Sequence, residues 1–172
     1  MIRFEKVPFE VYLEDRKKTL KSVGAEDEIK IREEWENIKL PARATNGSAG
    51  YDFYAPFMFS VWDGIDGVVV PTGIKFVTDR DDIFLMCVPR SGLGFKHNFR
   101  LFNTVGVIDS DYQFADNSGH IKAKMSANKT VIIREGGAYM QGIIVPFIKV
   151  DDDTEDIGER TGGFGSTDGQ TE

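Results

Sequence analysis

Gly67-Val68-Val69-Val70-Pro71-Thr72-Gly73-Ile74-Lys75-Phe76-Val77-Thr78-Asp79 ("GVVVPTGIKFVTD") decides the fold class. It is dominated by Val, Ile and Phe, residues that suit a pleated, half-buried surface. Similar runs follow it: "IFLMCVPR" from Ile83, "HIKAKMSA" from His120, "TVIIREG" from Thr130 and "GIIVPFIKV" from Gly142. Turn formers such as "DGIDG", "DRDD" and "REGG" separate several of these runs. From His120 to Met125 polar and apolar residues alternate, as on a strand with one buried face. Many short strands with frequent turns predict an all-β sandwich, barrel or jelly roll. Upstream, "RFEKVPFEVYL" is compatible with an opening strand. Between Ala25 and Ile38, Ile31, Trp35 and Ile38 recur at helical spacing behind an acidic first turn. This predicts one amphipathic helix packed on the sheet, with its Glu run as a solvated face. The acidic run from Asp151 to Asp156 leads into the Gly-rich "ERTGGFGSTDGQTE", which cannot bury enough surface to fold alone. That tail is either disordered or ordered only over a ligand. No internal repeat or domain boundary is visible.

The 172 residues fit one domain. No apolar run reaches the ~18 residues of a membrane helix, and the charged opening stretch is neither a signal nor a transit peptide. A lone Cys87 cannot form an internal disulfide, which suits a reducing cytoplasm. A net charge of −7 disfavours nucleic acid as a partner. An acidic chain that handles a small phosphorylated ligand needs a local basic or amide-rich pocket and a divalent cation. Several chemistries are missing. There is no P-loop signature, no H-E-x-x-H or C-x-x-C pair for zinc and no G-x-S-x-G, and the only histidines are His97 and His120. The acidic run lacks the Gly and terminal Glu of an EF-hand. A carboxylate base acting on water remains open, with the metal carried mainly by the substrate.

Four stretches have compositions that a β core does not require: "SAGYDF" (48–53), "PRSGLG" (89–94), "GVIDSDYQ" (106–113) and "GGFGST" (162–167). Singly, each reads first as a turn or cap; in order, they resemble the motifs of the trimeric all-β dUTPases. The resemblance runs from about Leu40 to about Gly169. The N-terminal helical stretch near residues 14–38 lies outside it, and is similar to extensions in phage and Gram-positive forms.

The resemblance implies a distorted jelly-roll (β-clip) barrel, to which the helical spacing at Ile31, Trp35 and Ile38 adds one short N-terminal helix. It places a single domain over residues 1–150 and a C-terminal arm carrying the fifth motif over 151–172. It implies a homotrimer with active sites at subunit interfaces. The reaction is dUTP + water → dUMP + pyrophosphate, with Mg²⁺ bound through the triphosphate and no metal ligand directly on the protein. Asp109 is the implied catalytic base. Tyr112 packs under the deoxyribose, where a 2′-hydroxyl would clash. Asn103, Val105 and Gly106 lie on the hairpin that reads uracil. Arg90, Ser91 and Gly92 match the phosphate-binding motif, and Gln141 matches a glutamine that reaches the phosphates. Arg160, Ser166 and Thr167 fit a γ-phosphate clamp, with Phe164 and Gly165 in the closing loop. Asp52 supports the site. Asp111 has either a structural or a trimer-axis role.

The chain departs from the family pattern at three places. Ala138 stands where an arginine usually supports the first-motif aspartate, so Asp52 needs another partner, Arg43 or solvent. Arg160 is one residue closer to the ring of Phe164 than usual. Phe114 replaces a glycine, and "FADNSG" (114–119) reads as an inserted hairpin tip. The rivals are a dCTP deaminase, alone or bifunctional, and a dUTPase-like regulatory binding protein. The first needs a glutamate on the strand after "GVIDSDYQ", which here reads "GHIKAKMSANK" without an acid. The second would be marked by a lost catalytic acid or tail, and both are present.

Overall fold

The stretch 67–79 divides at Thr72 and Gly73 into two strands that belong to different sheets. In the computed structural model, which describes residues 1–20, 24–64 and 66–152, the strands are β1 (Ile2–Lys6), β2 (Gly50–Tyr54), β3 (Phe59–Val61), β4 (Val68–Pro71), β5 (Ile74–Thr78), β6 (Ile83–Pro89), β7 (Arg100–Leu101), β8 (Gly106–Asp109), β9 (Lys122–Ser126), β10 (Val131–Ile133) and β11 (Ala138–Pro146). The helices are α1 (Phe9–Lys18), α2 (Ala25–Asn37) and α3 (Ser91–His97), and a 3₁₀ turn spans Ser110–Phe114. The sheets run β2-β11-β6-β8, β4-β9-β7, β1-β5 and β10-β3, with antiparallel pairing throughout the described strands. They wrap into a distorted jelly roll. Its core contains Phe53, Phe76, Leu85, Phe99, Met125, Tyr139 and Met140, all essentially inaccessible. β6 shows why the sequence folds this way: Ile83, Leu85 and Cys87 point inward while the residues between them are half-buried.

The N-terminal segment differs from the sequence expectation. The strand stops at Lys6, and two helices rather than one precede β2. Pro8 is the reason. It lacks an N–H for the β1–β5 ladder, yet its fixed φ suits a helix start, and it occupies the N-cap of α1 at φ −53°. Phe9, Tyr12 and Arg16 then fall on one buried stripe at helical spacing. α2 conforms to the sequence reading: Ile31 and Ile38 are buried, and the Trp35 indole donates to the Val7 carbonyl at 2.9 Å. The Asp27 carboxylate accepts the Gly24 N–H at 2.9 Å, satisfying one donor at the helix start. The helices are joined by Arg16, whose guanidinium donates to both oxygens of Glu34 at 2.9 and 3.2 Å and stacks 3.6 Å above the Phe57 ring.

α1 also reaches the barrel through a charged side chain. The Asp15 carboxylate contacts His120 Nδ1 at 2.8 Å and Lys122 at 3.3 Å. Gly73 N–H donates to His120 Nε2 at 2.8 Å, which fixes Nδ1 as the protonated nitrogen. Burial pushes the His120 pKa down despite the carboxylate, so the ring is neutral. Burial would push Asp15 up, but the His120 hydrogen bond and Lys122 outweigh it and hold the carboxyl well below the usual range.

Candidate active site

β6 ends at Pro89, and Arg90 caps α3 with its N–H on the Tyr139 carbonyl at 3.2 Å. The stretch "SGLGFKH" is therefore a short helix rather than an open loop. Ser91 and Gly92 stand exposed in its first turn, where backbone N–H groups have no intrahelical acceptor. Register brings the next residues alongside. Asp52 on β2 pairs with Gln141 on β11, and Gln141 pairs with Val88 on β6, so the three share one face of the sheet. Asp52 does not pair with Arg43. Its carboxylate meets Arg90 Nε at 3.3 Å with only 14% of the side chain exposed, while Arg43 turns away to donate to the Asn46 carbonyl at 2.9 Å. With Ala138 in place of an arginine, Asp52 forms its ion pair with Arg90, whose side chain stays 45% exposed.

Gly50 shapes the same corner. A Cβ there would lie 2.3 Å from the Gln141 side-chain oxygen. Gly50→Ala should therefore displace the Gln141 amide while the fold survives, because only a flexible side-chain end has to move. The melting temperature should stay unchanged while affinity for a ligand that the Gln141 amide contacts falls about tenfold, as for the loss of one hydrogen bond, measured by calorimetric titration.

The second part of the site is a cleft of about 370 Å³. Its walls include Phe102, Asn103, Gly106, Val107 and Tyr112, with Cys87 and Met140 behind and Lys122 and Lys124 along one side. β7 and β8 pair in different sheets rather than with each other, and the turn between them is tight: Thr104 N–H donates to Leu101 at 3.0 Å and Val105 N–H to Asn103 at 2.8 Å, across Thr104 at φ +70°. A hydrogen bond from i+2 to i over a positive φ is the strained form of the γ-turn. For a β-branched residue it is an uncommon place to sit. Val105 is about one-third exposed at the tip and is not among the cleft-lining residues. Lys124 adds a cation 4.1 Å above the Phe102 ring and pairs with Asp66 at 3.1 Å. The sequence reading missed Thr104, Lys122 and Lys124. The alternation in "HIKAKMSA" placed both lysines on one strand face, but nothing local marks that face as a cleft wall. Burial pushes the Cys87 thiol up to about 12, so it is an inert wall group.

The stretch "GVIDSDYQ" starts as strand and ends as 3₁₀ turn. Gly106 and Ile108 face inward, and Val107 and Asp109 face outward. Since the strand stops at Asp109, Asp111 does not follow the strand alternation; it sits exposed within the turn. Tyr112 turns back into the body at 5% exposure, and its hydroxyl donates to the His120 carbonyl at 3.1 Å. Asp109 pairs with Phe84, four residues along β6 from the Val88 position that aligns with Gln141, which is ~13 Å at strand rise. Asp109 thus shares the sheet face of Asp52 and Gln141 but stands well apart from them within one chain. Arg160, Phe164, Gly165, Ser166 and Thr167 lie outside the described residues. Among the described residues no group of three or more His, Cys, Asp or Glu side chains could hold a metal ion, and no helix is long and apolar enough to cross a membrane.

The sequence profile described as dUTPase matches residues 36–168. The deoxyuridine 5′-triphosphate nucleotidohydrolase of Lactococcus lactis subsp. lactis is 39% identical over 134 residues, covering 76% of this chain and 88% of the relative. The enzyme of the same name from Hahella chejuensis is 38% identical over 135 residues, covering 76% and 87%. Among solved structures, the dUTPase from Streptococcus mutans superposes with a TM-score of 0.55 at 36% identity, covering 65% of this chain and 88% of that one. A mutant dUTPase from phage phi11 of S. aureus shares the fold at a TM-score of 0.57 and 19% identity, covering 71% and 93%; its structure coordinates a structural Mg(II) ion. With the profile spanning most of the barrel and these relatives matched over nearly their whole length, the chain belongs to the dUTPase family.

Proposed function

We propose that this protein hydrolyses dUTP to dUMP and pyrophosphate, lowering dUTP and supplying dUMP in the cytoplasm. The observation that carries the reading is the joining of two recognition elements on one short segment. The Leu101–Gly106 turn and Tyr112 wall a single cleft, and the strand between them ends in an outward carboxylate, Asp109. In this reading the turn backbone around Asn103, Val105 and Gly106 pairs with the uracil edge, and the Tyr112 ring excludes a 2′-hydroxyl. Asp109 takes the proton of the water that attacks the α-phosphorus, which requires hydrogen-bond reach of about 2.6–3.2 Å to that water. Arg90, Ser91, Gly92 and Gln141 receive the phosphates through charge-assisted hydrogen bonds that strengthen as charge builds on the leaving pyrophosphate. No described side-chain cluster of this chain would hold Mg²⁺, which would be carried with the substrate and would offset phosphate charge. Arg160, Phe164, Gly165, Ser166 and Thr167, on the arm 151–172, close over the nucleotide.

The separation of Asp109 from the Asp52–Gln141 row supports a homotrimer. In the homotrimer the nucleotide lies between chains, one copy supplying the base and another the phosphate contacts. The shared face is suited to burial, because between the polar groups it presents Phe84, Met86, Val107 and Ile143, with Val107 57% exposed in the single chain. In this assignment residues 1–150 act as one domain, with the helical pair as an insertion in front of the barrel. The test is pyrophosphate release from dUTP, dCTP, dTTP and UTP with Mg²⁺. Turnover confined to dUTP is the expected result; turnover of dCTP without dUTP would overturn the assignment.

A further inference from the structure

Helix α1 precedes every motif discussed above, yet its Asp15 carboxylate is bonded into the segment that holds Tyr112. The connection runs through three residues. His120 is completely buried, and both ring nitrogens are engaged: Nε2 accepts from Gly73 N–H at 2.8 Å, and Nδ1 meets Asp15 at 2.8 Å. The main chain on its C-terminal side is fixed by Ile121 N–H on the Ile74 carbonyl at 2.9 Å and by the Thr72 hydroxyl on the Ile121 carbonyl at 2.7 Å. The His120 carbonyl therefore occupies a rigid position, and it accepts the Tyr112 hydroxyl at 3.1 Å. Asn117 closes the arrangement by donating to the Tyr112 oxygen at 2.7 Å and to the His120 carbonyl at 3.2 Å.

We infer that Asp15 is a positioning residue for sugar discrimination, acting through His120 to hold the Tyr112 ring at the depth where a ribose 2′-hydroxyl meets it. Discrimination by excluded volume depends on the wall not retreating. A ring free to move by a fraction of an ångström admits one more oxygen, and misplacement of about 1 Å in a site costs about 10²-fold. Tyr112 sits at the centre of the 3₁₀ turn Ser110–Phe114, an element with poor hydrogen-bond geometry of its own. The stiffness is supplied by its tether to His120 and, behind that, by α1. The N-terminal helical pair thus acquires a role in specificity without touching substrate. The inference rests on the dUTP-hydrolase reading above.

The test compares kcat and KM for dUTP and UTP in the full-length protein and in Asp15→Ala, Asp15→Asn, Tyr112→Phe and Asp15→Ala/Tyr112→Phe. Asp15→Ala removes the acceptor on His120 Nδ1, and Tyr112→Phe removes the hydroxyl tether while keeping the ring. Each is expected to lower the dUTP/UTP ratio of kcat/KM about tenfold, chiefly through KM. Asp15→Asn retains an acceptor oxygen and is expected to preserve the ratio. The double variant should lose no more than either single change, because both act on one chain of contacts. A purely structural Asp15 would lower the melting temperature and leave the ratio unchanged, and that outcome overturns the inference. If Asp15→Ala does not fold, wild-type selectivity in Tyr112→Phe overturns it alone. Absence of dUTP turnover in the unmodified protein instead overturns the hydrolase reading, and this inference with it.

Discussion

Replacing Asp109 with asparagine is expected to cut dUTP turnover by about 10³-fold while leaving nucleotide affinity within a few-fold, within the range typical of a lost general base. The amide matches the carboxylate in shape and still accepts a hydrogen bond from water or a sugar hydroxyl, but it cannot take a proton. Asp109 lies exposed at the end of β8 and its side chain makes no cap hydrogen bond to the following 3₁₀ turn, so the fold should survive the change. Single-turnover pyrophosphate release gives the rate, and calorimetric titration with a non-hydrolysable imido analogue of dUTP gives the affinity. A rate near that of the unmodified protein would remove Asp109 from the role of base. Equal losses of rate and affinity would make it a binding group instead.

The second large effect is on stability. Gly73→Ala is expected to destabilise the protein by about 3 kcal/mol, combining ~1–2 kcal/mol for a Cβ at positive φ with ~1–3 kcal/mol for overpacking. Gly73 sits at φ +72°, and a Cβ there would lie 2.1 Å from Ile38 Cδ1 and 3.4 Å from Tyr12 Cδ2. Both neighbours are core residues, so neither side chain can swing into solvent. The position also joins elements from four parts of the chain. Its carbonyl accepts Val7 N–H at 3.0 Å, its N–H holds His120, and it separates β4 from β5. At roughly 2–4 °C per kcal/mol, the melting temperature should fall by about 6–12 °C. A shift below ~2 °C would mean that Ile38 repacks freely and that the junction is softer than its contacts indicate.

Much of the barrel was legible in the sequence because it rests on local rules. A continuous apolar run marked β6, period-2 alternation marked β9, turn-forming clusters bounded several strands, and helical spacing of Ile31, Trp35 and Ile38 marked α2. The stretches around Asp52, Arg90 and Asp109 were equally visible, since their residue types are unusual for a core, whereas Gln141 was marked only by the family resemblance. The errors lie where a local signal had two readings. "VPFEVYL" alternates well enough for a strand, and Pro8 decided for a helix. Residues 67–79 read as one extended run, and Gly73 broke it between two sheets.

The sequence by itself determined the all-β class and the family, because composition, periodicity and motif order are properties of neighbours in the chain. Tertiary structure alone decided who meets whom. Strand register paired Asp52 with Arg90 instead of Arg43 and kept Asp109 some four strand positions from the Gln141 row. Packing of α1 on β9 delivered Asp15 to a histidine 105 residues away. Contacts of that kind depend on sheet register and helix docking, which arise from the burial of many side chains at once, and no short window of sequence contains them.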